Sequence, residues 1–338
     1  YRKGAQMNKI RFGLGFATGR KSFRKVLNAY ITSWHETRKR IPSELDISLN
    51  LFVAYDLDYS NTKSTDYTNL SQEAVDAFDD IVFVGTRNAL KSIEHLTKSE
   101  KFSADELHSV FGAGYAGKRN AILFAALENN IDYLLFLDDD EYPLTVTNNG
   151  KTALWSGQQV LRTHLRNIKN ADITYGHHCG YISPIPFVEF SDDLNEEVFR
   201  HFIQAISNDI VNWETIKQVM NNGGVTYADT GVLVKQEVLE VPEINHAKFI
   251  SGSNLCINLT DTSRVFPFFN PPGARGEDTF LSTCLSDRKV LRVPCYAFHD
   301  GFSFYSHLLS GVLPLRLKLI KPHSDQIIKR FYSACVGW

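Results

Sequence analysis

Residues 133–142 read YLLFLDDDEY, an apolar run that stops at three aspartates and a glutamate. The first five positions show no polar alternation. That is the pattern of a strand covered on both faces in a mostly parallel sheet, and ligands of such sheets bind beyond the carboxyl ends of the strands. Asp138 is therefore expected at a site. Four carboxyl groups at one strand end repel each other and raise each other's pKa values unless a cation or hydrogen-bond donors compensate. Hard divalent ions such as Mg2+ or Mn2+ take oxygen ligands and complete their shells with substrate phosphates. The run thus points to a metal ion and a phosphorylated ligand. The competing reading is a solvated acidic turn, because Asp favours turns and charge runs are usually hydrated.

Composition sets the outer bounds. A chain of 338 residues can form one large α/β domain or two modest ones, at about 150 residues per domain. With 43% hydrophobic residues, 22% charged residues and a formal net charge of −2, neither disorder nor nucleic-acid binding is expected. No apolar stretch approaches the roughly 18 residues of a membrane span, and the first residues lack the basic, apolar and small-residue order of a secretory signal. Five cysteines (Cys179, Cys256, Cys284, Cys295 and Cys335) have no CxxC spacing and read as small core residues. A reducing cytoplasm is the expected location.

Alternating strand and helix signals organise the first half. Strands are expected at 10–16, 48–55 and 80–84, and helices at 22–38 and 118–128, before the acidic strand. This is βαβ organisation and predicts an α/β fold. In the second half, 153–168 and 193–220 read as helices, and 226–234, 249–257 and 290–298 as strands. No Pro/Gly/Ser-rich break appears, so one continuous domain is expected. Within it, residues 8–150 would form the nucleotide-facing half, 151–310 the acceptor-facing half and 311–338 a basic, apolar tail.

Several further constellations could carry chemistry. Residues 111–120 read FGAGYAGKRN, with a literal G-x-G-x-x-G at Gly112, Gly114 and Gly117. A dinucleotide fingerprint needs a strand immediately before the first glycine, whereas 103–110 reads as a capped helix or loop. The other functional reading is a phosphate cradle at a helix start, reinforced by Lys118 and Arg119. Residues 271–280 read PPGARGEDTF and place Glu277 and Asp278 at the start of a helix running through Leu285. Asp278 there is either a helix-end charge or a carboxylate base behind a closing loop. His299, in YAFHDGF, follows a strand and suits Mn2+ alongside carboxylates. His177 and His178 are neighbours on a strand, point to opposite faces and read as structural or acceptor-lining. The basic tail around Arg316 and Lys318 fits a solvated face or peripheral membrane contact.

The order of these pieces resembles the nucleotide-sugar-dependent glycosyltransferases of the GT-A fold, in particular the family-2-like group. The resemblance rests on Arg119-Asn120 before an apolar strand, the D-x-D at Asp138-Asp139-Asp140, the later Glu277-Asp278 pair and His299, and it spans about residues 8–305. It implies a Rossmann-like, mostly parallel central sheet flanked by helices. It also implies a nucleoside-diphosphate sugar as donor, a carbohydrate or other hydroxyl acceptor, and Mn2+ or Mg2+ held by Asp138, Asp140 and His299. Asp278, beside Glu277, would be the base of an inverting enzyme, and a C-terminal metal-binding His is also common in retaining members. Phe16, Ala17, Thr18, Tyr55, Asp56, Lys118, Arg119, Asn120, Asp138 and Asp139 would line the nucleotide, with Ser253 and Asn254 near the sugar or acceptor. Two other classes stay open: a nucleotidyltransferase or NAD(P)-dependent enzyme, and a non-catalytic sugar-nucleotide-binding protein.

Overall fold

The computed structural model describes residues 9–39, 46–85, 94, 96–98, 101–112, 114–181, 188–206, 212–270, 276–321 and 324–337. The first half carries β1 (Ile10–Thr18), α1 (Phe23–Arg38), β2 (Ile47–Tyr55), the short α2 (Thr65–Thr68) and α3 (Gln72–Asp76) and β3 (Asp80–Val84). Then come α4 (Ala104–Phe111), α5 (Tyr115–Glu128), β4 (Tyr133–Leu137), β5 (Glu141–Tyr142), β6 (Leu144–Asn148) and β7 (Ala153–Gly157). The second half carries α6 (Val160–Asn167), β8 (Ile173–Gly180), α7 (Glu196–Ile206), α8 (Trp213–Asn221), α9 (Thr230–Lys235) and β9 (Leu239–Glu240). It ends with β10 (Leu255–Asn258), α10 (Glu277–Ser282), β11 (Val290–His299) and α11 (Asp325–Gly337).

The central sheet runs β3-β2-β1-β4-β10-β8-β11-β5, with β9 added to β11. Strands β3, β2, β1 and β4 are mutually parallel, as the βαβ pattern predicts. Beyond β4 the sheet becomes mixed, because β10 enters antiparallel between β4 and β8 while β8 and β11 pair in parallel. Strand β4 therefore sits inside the sheet and is covered on both faces. Leu135 and Leu137 pack with Phe16, Phe23, Tyr30 and Leu161 on one side, and Leu134 and Phe136 pack with Ile122, Ala126 and Leu285 on the other. Two covered faces leave no place for a polar residue until the strand ends, which is why the apolar run and the acidic run meet so abruptly.

Of the five cysteines expected in the core, Cys179, Cys256 and Cys295 are buried but Cys284 is exposed. Four secondary-structure expectations also need correction. Residues 153–157 form β7 rather than the start of a helix, because they pair with β6 across a turn at Asn149 and Gly150, the latter at φ +88°. Residues 230–235 are helical, and the Asp229 carboxylate accepts from the Gly231 N–H at the helix start. The expected strand at 249–257 shrinks to β10, since Asn254 before it adopts φ +51°. The long helix expected at 193–220 contains two helices, α7 and α8, the second opened by a capping box at Asn212 and Thr215. The line expected between the two halves at residue 150 falls in the β6–β7 turn. The tail returns to that hairpin, with the Leu315 carbonyl accepting from the Ala153 N–H at 2.6 Å.

Candidate active site

At the end of β4 the chain turns through Asp138–Asp140 and re-enters the sheet as β5, which pairs with the far end of β11 so that Glu141 lies opposite His299. The Asp300 N–H donates to the Asp140 carbonyl at 2.8 Å and fixes the turn from the other side. This pairing brings His299 to Asp140 although 159 positions separate them in sequence.

Each acidic side chain has a different partner. Asp139 is buried, accepting from the Thr18 hydroxyl at 2.6 Å and from Arg20 Nη1 at 2.7 Å. Asp140 is paired with Arg20 through Oδ2, and its Oδ1 lies 3.5 Å from His299 Nε2. Asp138 Oδ1 accepts from Arg119 Nη2 at 3.1 Å, and the Asp138 N–H donates to the Ser253 hydroxyl oxygen at 3.0 Å. The Ser253 hydroxyl in turn donates to Glu141 at 2.6 Å, whose other oxygen lies 3.3 Å from His178 Nε2. Arg20 is the site residue that the sequence does not announce, while Glu141 of the acidic run and His178, expected as structural or acceptor-lining, join the site through each other and Ser253. The side chain of Arg20 comes from the β1–α1 turn, and nothing in its local sequence ties it to residue 139.

Arg119 joins this turn to the second acidic pair. Its side chain is only 4% exposed, lies between the rings of Phe136 and Phe268, and places Nε 3.3 Å from Glu277 Oε1. Its Nη1 is buried with no hydrogen-bond partner among the described residues. Asp278, in the first turn of α10, accepts from the Gly252 N–H at 3.1 Å, next to Ser253. The two acidic motifs, 138–141 and 277–278, thus face one site across Arg119 and residues 252–253. Residues 271–275 of the expected closing loop lie outside the described residues.

Other expected residues divide into those at the site and those behind it. Thr18 braces Asp139, and Lys118 pairs with Asp56 at 2.9 Å beside the carboxyl end of β2. Tyr55 stacks on Tyr67 there, with ring centroids 5.0 Å apart. Phe16 and Ala17 are core residues, and the structure does not bring their side chains to the site. Asn120 is also buried and pins α5 to the chain at Phe268, donating to its carbonyl at 2.8 Å and accepting from its N–H at 2.7 Å. Asn254 turns into the core towards His164 and the His177 carbonyl, away from any acceptor. The glycine motif follows a helix, α4, so the strand that a dinucleotide fingerprint requires is absent. Gly117 is there for packing, since a Cβ would fall 1.9 Å from the Gly112 carbonyl oxygen.

The electrostatics record a surplus of negative charge. Burial pushes the Asp138 carboxyl up to about 8, with Glu141, Asp140 and Asp139 adding to the rise and Arg119 opposing it. Burial also raises Asp139 and Asp278, the latter helped by Glu277. Asp140 goes the other way: burial would raise it, but His299 and Arg20 hold it well below the usual carboxylate range. Burial opposes charge on His299, yet Asp140 raises its pKa to about 9.

The His299 ring also answers whether a divalent ion would fit. Its Nδ1 faces the Tyr181 carbonyl and donates to it, so Nε2 is the nitrogen that points at Asp140. A neutral imidazole in this tautomer aims a lone pair at a carboxylate oxygen. Only a proton or a metal ion between them satisfies both, and a carbonyl behind the ring is the usual support for a ligating His. Asp140 and His299 therefore fit a hard or borderline divalent ion. Among the described residues no group of three His, Cys, Asp or Glu side chains forms a complete ligand set. Asp138, engaged by Arg119, stands apart from this pair. Phosphate oxygens and water would have to complete the shell.

No helix among the described residues is long and apolar enough to cross a membrane. No family model and no curated protein matches the sequence. Two solved structures are similar at low level. A mycobacterial protein shares 11% identity at a TM-score of 0.36, over 86% of this chain and 67% of its own. The mannosyltransferase Ktr4p from S. cerevisiae, solved with GDP, shares 10% identity at a TM-score of 0.28, over 81% of this chain and 61% of its own.

Proposed function

We propose that this chain is a nucleotide-sugar-dependent glycosyltransferase that moves a sugar from a nucleoside diphosphate to a hydroxyl acceptor with inversion. The observation that carries the reading is the meeting of the two acidic motifs. Asp138–Glu141 at the carboxyl end of a central strand and Glu277–Asp278 on α10 are joined through Arg119, whose Nη1 is buried with no partner among the described residues. An anionic ligand bridged by a divalent cation would relieve both the excess carboxylate charge and the orphaned donor.

In this mechanism Thr18, Asp56, Tyr55 and Lys118 border the nucleotide, as expected beyond the ends of parallel strands. Asp140 and His299 would hold Mn2+ or Mg2+, which when bound supplies Lewis-acid stabilisation of the departing diphosphate. Arg119 keeps Asp138 and Glu277 in register. Asp278, whose carboxyl pKa burial and Glu277 raise, takes the proton of the acceptor hydroxyl. The acceptor oxygen then bonds the anomeric carbon as the bond to the diphosphate breaks, and that electron pair leaves on the diphosphate oxygen. The Gly252 N–H holds one Asp278 oxygen and sets the direction from which the base approaches.

A thermal-shift screen of UDP, GDP, CDP, dTDP, NAD and NADP, each with EDTA or MnCl2, tests the reading. One nucleoside diphosphate is expected to raise the melting temperature only with MnCl2. A metal-independent shift with NAD or NADP would replace the transferase by a dinucleotide-dependent enzyme.

A further inference from the structure

Arg20 is the cation of this site whose position neither the acidic motifs nor the helix α5 explains. Its Nη1 bridges Asp139 Oδ1, at 2.7 Å, and Asp140 Oδ2. The Tyr59 ring lies 5.7 Å from the guanidinium carbon, and the side chain remains 24% exposed. Both ion pairs run from a single nitrogen, so the guanidinium acts towards the two aspartates as a point charge, as a bound metal ion would. Asp139 is then saturated by Thr18 and Arg20, and Asp140 has Arg20 on one oxygen and His299 facing the other. A divalent ion ligated by Asp140 must share that carboxylate with a cation already there. Like charges at such separations repel strongly when partly shielded from water.

We infer that Arg20 is an internal counter-cation, which occupies the acidic turn until metal and donor arrive and then turns to the donor's diphosphate. This rests on the transferase reading and adds to it a reason for metal and nucleotide to bind together. A metal ion alone must displace a favourable ion pair. Metal with a diphosphate gives Arg20 a new anion at the same mouth, and guanidinium is well suited to phosphate oxygens. The coupling is reciprocal, so metal should strengthen nucleotide binding by the same factor.

The test is Mn2+ affinity, read from the electron paramagnetic resonance signal of free Mn2+ and independent of any turnover. It compares the unaltered chain with Arg20→Gln, with Mn2+ alone and then with UDP, GDP, CDP or dTDP added. Arg20→Gln is expected to bind Mn2+ alone about tenfold more tightly, and to lose most of the further gain that the matching nucleotide gives the unaltered chain. Arg20→Lys keeps the charge and guards against a folding defect in the Gln variant; its affinity for Mn2+ alone should stay near that of the unaltered chain. Equal or weaker Mn2+ binding by Arg20→Gln, with nucleotide still bound by both proteins, overturns the inference and leaves the transferase reading standing. A tenfold gain in the Lys variant also overturns it. Absence of Mn2+ binding in every protein, with and without nucleotide, overturns both.

Discussion

Two of the buried polar clusters among the described residues are built on opposite plans. In the core of the second half, His164 Nε2 donates to Asn254 Oδ1 at 2.9 Å and Nδ1 accepts from the Thr174 hydroxyl at 2.7 Å. Asn254 then donates to the His177 carbonyl at 3.3 Å, and Gly176 leaves the room for it, since a Cβ there would lie 2.0 Å from the amide nitrogen. Every group in that cluster is neutral and none is exposed. At the end of β4, by contrast, Asp138–Glu141, Glu277 and Asp278 outnumber Arg20 and Arg119, and Arg119 Nη1 has no partner among the described residues. The neutral cluster satisfies its own hydrogen bonds and locks β8, β10 and α6 together, whereas the charged one is complete only with something added. A buried polar network is structural when its accounts close internally, and points to a ligand when they do not.

That contrast can be broken at several points. The largest effect is expected from Asp278→Asn, which removes the proposed base but leaves a similar shape. Turnover should fall about 10²- to 10⁴-fold with donor affinity unchanged, so a joint collapse of both would remove Asp278 from the base role. Next is Asn254→Ala in the neutral cluster. It strands His164 and the His177 carbonyl and should cost about 2–4 kcal/mol in urea unfolding. A loss below about 1 kcal/mol would mean the cluster is not the structural lock described.

Acid should weaken the same cluster. Burial lowers the His164 pKa to about 4, below the ordinary value of 6.5, so the unfolded chain takes up the proton first. This contribution is complete above about pH 6.5 and fades as pH falls towards 4, by about 3 kcal/mol in all. His177, lowered to about 3 mainly by burial, acts in the same sense. Stability that stays flat between pH 7 and pH 5 would contradict this. The smallest loss of stability is expected in the charged cluster. A carboxyl raised to about 8 costs the folded chain stability at neutral pH, so Asp138→Asn should leave unfolding stability at pH 7 unchanged or higher while nucleotide binding in calorimetry is lost. A large destabilisation with binding intact would make Asp138 structural.

Much of the first half was legible because its signals are local. The uninterrupted apolar run of β4, the alternation of strands and helices and the capped helix before the glycine motif are all read within a few residues. Local signals were also present where the reading failed. Asn149-Gly150 marks the hairpin that splits 153–157 from α6, and Asp229 before Thr230-Gly231 marks a helix start. The insertion of β10 was not legible, since a four-residue antiparallel strand is selected by its neighbours in the sheet. The site followed the same division. The acidic motifs were visible, but Arg20, His178 and the inward turn of Asn254 depend on contacts between residues tens to more than a hundred positions apart.

The most direct test of the central claim is release of nucleoside diphosphate from UDP-, GDP-, CDP- and dTDP-sugars in the presence of MnCl2, with water standing in for the acceptor. Slow release from one donor class, abolished by EDTA and by Asp140→Ala, is the predicted result. Release of pyrophosphate instead, or no cleavage of any donor that the protein demonstrably binds, would contradict sugar transfer at this site.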